Sequence, residues 1–131
     1  MMSGGTSEGA SLNIKIGDIK RGEIWRVNFD PTIGAEIKKS RPAIVISSNL
    51  IGKLLIKIIV PLTSWDVKYE ESFWHVKIET DSKNNLVRTS SADALQVRSV
   101  DIQRFIAPRI GVISAEISDE IVATIAAIIE Y

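Results

Sequence analysis

One arginine in this sequence stands where its backbone is strongly constrained. Arg41 lies between a polar loop and an apolar run, and Pro42 follows it directly. A residue before proline is biased away from the helical region, so part of the freedom that opposes positioning of the guanidinium is already lost. A guanidinium donates two parallel hydrogen bonds to phosphate oxygens and stabilises charge that develops on them. The sequence therefore points to Arg41 as a phosphate-binding group.

Two strand-like runs flank the loop that carries this arginine. Trp25, Val27 and Phe29 alternate with polar residues, the period-two pattern of a half-buried strand, and 43–46 is apolar enough for a buried strand. Further strands are predicted over 54–62, 73–79, around 94–100 and over 105–113, with a polar, mobile loop over 65–72 and a turn over 81–85. So many short strands about ten residues apart indicate a small barrel or a twisted sheet.

The C-terminal segment changes to helical spacing. Ser118 is the expected N-cap, and the acidic residues after it suit the first turn of a helix. An apolar stripe follows, formed by Ile121, Ile125 and Ile128 and widened by Val122 and Ile129. We expect this helix to cover an open side of the sheet, in preference to a share in a dimer interface.

Composition limits the class of protein. With 131 residues and 45% apolar content, the chain is expected to form one domain over 16–131, preceded by a flexible tail over 1–15. The tail has neither the basic start nor the apolar core of a secretory signal, and no apolar run approaches the roughly 18 residues of a membrane span. The absence of cysteine excludes disulfides and thiolate chemistry, and we expect a cytoplasmic location.

The balance of charge bears on nucleic-acid binding. The formal net charge is zero, whereas proteins that neutralise phosphates usually carry a basic excess. A local basic groove would require Lys38, Lys39 and Arg41 to converge with Arg98, Arg104 and Arg109. No carboxylate spacing suggests a metal-dependent nuclease, so no metal ligands are assigned.

Several segments together resemble the MazF/PemK family of toxin endoribonucleases. The first group is Gly22-Glu23-Ile24-Trp25, Asp30-Pro31 with Gly34 and Glu36, and Ser40-Arg41-Pro42 followed by 43–47. The second is Val60-Pro61-Leu62-Thr63-Ser64, then 96–101 with Arg104-Phe105. The resemblance runs from about Lys20 to the C-terminus in the family's order. One departure is Lys39, because these proteins usually have a glycine shortly before the Arg-Pro pair.

The resemblance implies a fold, an activity and partners. The fold would be mainly β with α: a small, SH3-like (PemK/CcdB-type) barrel with a C-terminal helix. The activity would be sequence-specific cleavage of single-stranded RNA without a cofactor. Attack by the 2′-hydroxyl would leave a 2′,3′-cyclic phosphate and a 5′-hydroxyl end. The protein would be a homodimer and the toxin of a type II toxin–antitoxin pair. Its MazE-like antitoxin would compete for the same basic residues.

The resemblance also assigns roles to residues. Arg41 and Thr63 are the implied catalytic pair, although Thr63 by its pattern alone is an ordinary strand-end threonine. The high pKa of arginine makes a general-base role for Arg41 unfavourable. Charge stabilisation is therefore preferred, and proton donation to the leaving oxygen stays open. His75 is the single histidine, which excludes a two-histidine scheme within one subunit, and we interpret it as an ordinary strand residue.

RNA-binding roles fall on four further residues. Glu36 and Gln96 stand where such enzymes contact bases, and a carboxylate and an amide can recognise unpaired base edges. Lys38 and Lys39 would contribute charge from the same loop as Arg41. Trp65 and Tyr69 could stack on bases, although burial beneath their own loop explains them equally well.

Two other functions remain open from the sequence. A toxin of the same fold that binds and poisons DNA gyrase is one, but such proteins act through a C-terminal Trp-Gly-Ile, whereas this chain ends Ile-Glu-Tyr. The other is a non-enzymatic interaction module in which Arg41 pairs with a carboxylate such as Glu36.

Overall fold

A computed structural model describes residues 19–131 of the chain. The predicted tail over 1–15 therefore lies outside the described residues. The strands and the α-helix, in chain order, are β1 Glu23–Asn28, β2 Ser40–Val45, β3 Ile56–Ser64, β4 His75–Ile78, β5 Ser90–Asp93, β6 Arg98–Asp101, β7 Phe105–Val112 and α1 Ala115–Ile128. Short 3-10 helices occupy several of the connections between these elements.

The strands form one antiparallel sheet in the order β4-β5-β3-β2-β1-β7. The long strand β3 has two partners along its length on one side: Ile56–Ile59 pairs with β6, and Leu62–Ser64 pairs with β5. Within residues 19–131 no ladder joins β4 to β7, so backbone hydrogen bonds do not close the sheet into a complete barrel. The predicted class, mainly β with a C-terminal helix, is confirmed.

Two apolar clusters pack on opposite faces of this sheet. Trp25, Val27 and Phe29 belong to one cluster, as the alternation in β1 predicts. Ile24 and Ile44 belong to the other, so the first two strands are buried on both faces rather than on one. Full burial of each such side chain stabilises the fold by about 1.5–3 kcal/mol. Both ends of the loop that carries Arg41 are therefore anchored in the core.

The helix begins earlier than predicted. Its N-cap is Ser114, whose hydroxyl accepts a hydrogen bond from the Ile117 amide, and the predicted cap Ser118 is buried inside the first turns. The cap lies one turn upstream because Ile117 extends the apolar stripe and packs with the fully buried Ile121. The helix covers the second cluster, as expected, but the stripe is narrower than predicted, since Ile129 is 69% exposed.

Two other sequence predictions were wrong in detail. The predicted strand over 94–100 is a 3-10 helix at Ala94–Gln96 followed by β6, and the strand Ser90–Asp93 was not predicted. The segment expected to be a mobile loop over 65–72 contains a 3-10 helix, Val67–Glu71, which Asp66 caps by accepting from the Lys68 amide. None of the described helices is long and apolar enough to cross a membrane.

Candidate active site

Two prolines lie at the point where the ladder between β2 and β3 ends. The paired residues run from Val45 with Ile59 to Ala43 with Pro61. Proline has no N–H to donate, so Pro42 and Pro61 limit further pairing at this end of the sheet. The β2–β3 ladder stops at Ala43 with Pro61, and Thr63 pairs on its other side with Ser91 of β5. Arg41 and Thr63 therefore lie at the same end of the sheet, where β2 begins and β3 ends, without forming a ladder pair.

Both residues border one cleft, with a volume of about 280 Å³. Its walls come from β1, from the start of β2, from the end of β3 and from the segment that leads into β5. The lining residues are Arg26, Arg41, Pro42, Leu62, Thr63, Ser64, Asn85, Leu86, Val87, Arg88, Ser90 and Ile110. Three of these are arginines and none is a carboxylate. A protein of zero net charge thus concentrates positive charge at this cleft, which suits an anionic ligand.

Arg41 is held by its own loop. Its Nε donates to the Lys38 carbonyl oxygen at 3.2 Å, and the residue is partly exposed. Within residues 19–131 the ion pairs are Lys77 with Glu79 and Arg109 with Glu23, so no carboxylate of the described chain neutralises Arg41. The ion pair between Glu36 and Arg41 that the interaction-module alternative assumed is therefore absent from the described residues. The terminal guanidinium nitrogens remain available to a ligand.

Thr63 carries an unused hydrogen-bonding group. Its Oγ1 is buried and has no hydrogen-bond partner in the described part of the chain. An unsatisfied buried polar group usually destabilises a protein by about 1–3 kcal/mol. Strained or unsatisfied groups of this kind often mark functional sites. This hydroxyl lies in a residue that borders the same cleft as three arginines.

The loop before Arg41 explains the unusual residue at position 39. Lys39 has a φ of 66°, the left-handed conformation in which glycine is favoured, and its amide donates to Asp30 Oδ1 at 3.0 Å. The loop thus keeps a glycine-like turn without a glycine. The side chains of Lys38 and Lys39 are exposed, and neither borders the cleft.

Glu36 and Gln96, the predicted base-contacting residues, lie together at a second groove. They border it with Arg98, and neither borders the Arg41–Thr63 cleft. The Gln96 amide oxygen accepts from the Ile37 amide at 2.7 Å, and Glu36 Oε1 accepts from the Ile33 amide at 2.9 Å. Gln96 therefore keeps its NH₂ group, and Glu36 its second carboxylate oxygen, for a ligand.

Arg98, Arg104 and Arg109, which the sequence left open as further members of a basic groove, do not line the Arg41–Thr63 cleft. Arg109 pairs with the buried Glu23 at 3.0 Å, and Arg104 donates to the carbonyl oxygens of Asn28 and Asp30. Arg98 lies over the ring of Phe29 at 5.9 Å. Each of these arginines has a partner within the protein, so they support the fold of the sheet and its loops rather than the cleft.

Sequence reasoning missed two arginines of the cleft. Arg26 had a signal, because it is the one charged residue among the apolar residues from Ile24 to Val27 and must reach solvent. Arg88 had none, since it stands in an irregular segment whose position depends on contacts with β7. Only the folded structure shows that neither arginine has a carboxylate partner among residues 19–131.

His75 and the aromatic residues lie apart from the cleft lining. The His75 ring stacks on Tyr69 at 3.7 Å, and its Nδ1 is 2.8 Å from Ser91 Oγ. Burial lowers the pKa of His75; the charge of Asp93 raises it and that of Lys68 lowers it further. Trp65 meets Tyr69 edge to face at 5.7 Å. The His75 ring thus packs within the protein and occupies one face of the Tyr69 ring. These contacts agree with an ordinary structural role for His75.

The described part of the chain has no evident metal centre. Over residues 19–131 there is no cluster of three or more histidine, cysteine, aspartate or glutamate side chains with suitable geometry.

The comparisons of this chain with known proteins agree on one family. Residues 20–129 match the family described as PemK-like, MazF-like toxin of type II toxin–antitoxin system. Endoribonuclease MazF9 of Mycobacterium tuberculosis is 31% identical over 74% of this chain and 84% of its own length. Endoribonuclease toxin ChpB of Escherichia coli is 28% identical over 89% of this chain and 99% of its own.

Solved structures agree with this fold. The crystal structure of MazF from Deinococcus radiodurans aligns with a TM-score of 0.72 at 21% identity, covering 86% of this chain and 97% of that one. The MazE–MazF structure from the same organism aligns with a TM-score of 0.66 at 21% identity, covering 86% and 96%.

Proposed function

This chain belongs to the PemK-like, MazF-like family of toxins of type II toxin–antitoxin systems, and on that basis we propose that it is a metal-independent endoribonuclease of single-stranded mRNA. Two relatives that each align with more than two thirds of this chain are named endoribonucleases. The observation that carries the proposal is the shared cleft of Arg41 and Thr63, which holds three arginines and no carboxylate.

The proposed reaction is an internal transfer of the phosphodiester. The 2′-oxygen forms a bond to phosphorus while the bond from phosphorus to the 5′-oxygen breaks. The proton of the 2′-hydroxyl passes to water, and the leaving 5′-oxygen takes up a proton from water. The products are a 2′,3′-cyclic phosphate and a 5′-hydroxyl end. Water is assigned this role because the cleft lining includes no histidine, cysteine, aspartate or glutamate side chain.

Arg41 and Thr63 have separate tasks in this reaction. Arg41 donates from its terminal nitrogens to the non-bridging oxygens and stabilises the charge that builds up on them. The Thr63 hydroxyl, without a partner in the described chain, donates to an oxygen of the same phosphate. A cleft with three arginines repels a divalent cation, which supports chemistry without a metal.

Sequence selection is assigned to the second groove. Glu36 can accept from the amino or imino groups of a base, and the Gln96 NH₂ can donate to its carbonyl or ring nitrogen. Lys38 and Lys39 contribute exposed positive charge from the same loop as Glu36. The geometry of the loop over 30–39 would therefore determine which base is accepted.

The partners follow from the same assignment. A type II toxin has a protein antitoxin, and an acidic, MazE-like segment is the expected occupant of a cleft whose arginines have no carboxylate partner among the described residues. The active form is proposed to be a homodimer. MazF9 and ChpB are both named endoribonucleases, which favours the nuclease over the gyrase-binding alternative.

Incubation of the purified protein with mixed-sequence RNA in excess EDTA tests the proposal. We expect defined fragments whose new 5′ ends accept phosphate from polynucleotide kinase without prior dephosphorylation, because those ends carry free hydroxyls. Arg41→Ala protein, prepared in parallel, controls for a contaminating nuclease. Intact RNA in EDTA, or equal cleavage by the variant, would refute the proposed mechanism.

A further inference from the structure

Two arginines of the cleft have no role in the proposed reaction. We infer that Arg26 and Arg88 each bind a backbone phosphate that flanks the one held by Arg41, so that the cleft grips several consecutive phosphates of single-stranded RNA. This inference rests on the proposed function and adds a binding subsite to it.

Arg26 borders the cleft beside Pro42, its partner in the β1–β2 ladder. It lies opposite Pro42 in the register, so the two side chains share a face of the sheet. Its Nη1 donates to the Ser40 carbonyl oxygen at 3.3 Å, which directs the guanidinium along the start of β2. That contact occupies one N–H, and the other donors of this exposed side chain remain free for a phosphate.

Arg88 belongs to the segment before β5, which lines part of the cleft and is fixed to the sheet. The Asn85 side chain donates to the Ile110 carbonyl oxygen at 3.0 Å, and the Val112 amide donates to the Lys83 carbonyl oxygen at 3.0 Å. A Cβ atom at Gly111 would overlap the Asn84 carbonyl, so this close approach depends on glycine. The wall that carries Arg88 is therefore held in place before any ligand arrives.

The positive charges that line the cleft indicate that its ligand is a polyanion. Neither Arg26 nor Arg88 has a carboxylate within 4 Å among the described residues, and the rest of the lining is neutral apart from Arg41. Three uncompensated guanidinium groups around about 280 Å³ exceed the need of one phosphodiester, which carries a single negative charge. A chain of phosphates provides one anion for each arginine.

Salt dependence of binding tests this inference. The probe is a mixed-sequence 2′-O-methyl oligoribonucleotide, which lacks the attacking hydroxyl and stays intact. Each lost contact with a single-stranded phosphate lowers the slope of log K against log salt concentration by about 0.7. We expect Arg26→Gln/Arg88→Gln protein to show a slope smaller by about 1.4 than the wild type, with roughly 100-fold weaker binding at low salt.

Two further variants separate charge from structure. Arg26→Lys/Arg88→Lys protein should keep most of the slope, since the positive charges remain. Lys53→Gln removes an exposed cation outside the cleft and should leave the slope near the wild-type value. Thermal unfolding of every variant establishes that the fold is retained.

The outcomes distinguish this inference from the proposed function. If the wild type cleaves RNA but the double glutamine variant keeps the wild-type slope, the flanking-phosphate subsite is wrong and the nuclease assignment stands. An equal loss of slope in Lys53→Gln would show diffuse attraction and would also overturn the subsite. A wild type that neither cleaves RNA nor binds the probe would remove both.

Discussion

Arg41, at the start of β2, borders the same cleft as Thr63, near the end of β3. They are 22 positions apart in the sequence, and the antiparallel pairing of the two strands places the start of β2 and the end of β3 at the same end of the sheet. A guanidinium with no carboxylate partner in the described chain thus shares a cleft with a residue whose hydroxyl has no partner there.

Replacement of Arg41 should abolish most of the activity without unfolding the protein. Removal of a preorganised donor to a developing oxyanion lowers turnover by about 10²–10³, and arginines in phosphoryl transfer contribute about 10³–10⁵. We therefore expect kcat/KM of Arg41→Ala to fall about 10³-fold, with a smaller loss for Arg41→Lys, which keeps charge but not the planar fork. Rates on a fluorogenic RNA check this. Wild-type rates in Arg41→Ala would contradict it.

Replacement of Thr63 should separate activity from stability. Thr63→Val removes a buried hydroxyl that has no partner while keeping the shape of the side chain. We expect the free energy of unfolding to rise by up to about 1 kcal/mol while kcat/KM falls about 10²-fold. Urea unfolding and RNA cleavage measure the two effects.

Ser118 supplies the matched control for that experiment. Its hydroxyl is also buried without a partner in the described chain, but it lies in α1 and not at the cleft. Ser118→Ala should therefore raise stability by a similar amount and leave the cleavage rate unchanged. Loss of stability in Thr63→Val, or unchanged activity, would contradict the role given to its hydroxyl.

The left-handed conformation of Lys39 gives a prediction about stability alone. A Cβ atom disfavours this conformation by about 1–2 kcal/mol, and the greater freedom of glycine in the unfolded chain offsets about 0.5–1 kcal/mol of that. Both Lys39→Gly and Lys39→Ala remove the long side chain. We expect the glycine variant to unfold at a higher urea concentration than the alanine variant. The reverse order would show that the loop does not adopt this conformation in solution.

His75 should make stability depend on pH. Its pKa in the folded protein is lowered by burial, from an ordinary value of 6.5. The unfolded state therefore binds the proton more readily, and the stabilising contribution is present above pH 6.5 and is lost as pH falls through the folded pKa. We expect the free energy of unfolding to fall between about pH 7.5 and about pH 5.

A variant isolates this effect because His75 is the single histidine of the chain. His75→Gln should show a weaker fall in the free energy of unfolding over the same range. Parallel curves for the wild type and the variant would mean that the ring titrates normally in the folded state.

The sequence pattern predicted the elements that form because of the conformational preferences of their own residues. The alternation from Trp25 to Phe29 correctly located β1. The helix start was misplaced because two serines, Ser114 and Ser118, stand one turn apart and both suit an N-cap; packing of Ile117 decides between them. The strand Ser90–Asp93 has a polar sequence with little strand preference, and it forms because β3 and β4 pair with it on both sides.

The candidate site also divides into residues that the sequence could suggest and residues that it could not. Arg41 could be suggested because Pro42 restricts it locally, and Thr63 could be suggested through the resemblance. Arg88 was not, because its place in the cleft depends on a turn packed against Gly111, about twenty residues further along the chain. Arg98, Arg104 and Arg109 looked equivalent to it in sequence, and only their internal partners distinguish them.

A double-mutant cycle between Arg41 and Thr63 tests most directly whether the two residues act on the same phosphate. Single-turnover cleavage rates are compared for the wild type, Arg41→Ala, Thr63→Val and the double variant. Because residues that act as one unit give non-additive losses, the double variant should be slowed little more than Arg41→Ala alone. Losses that multiply, with the double variant slowed by the full product of the single effects, would show that the two residues act independently and would contradict the shared site.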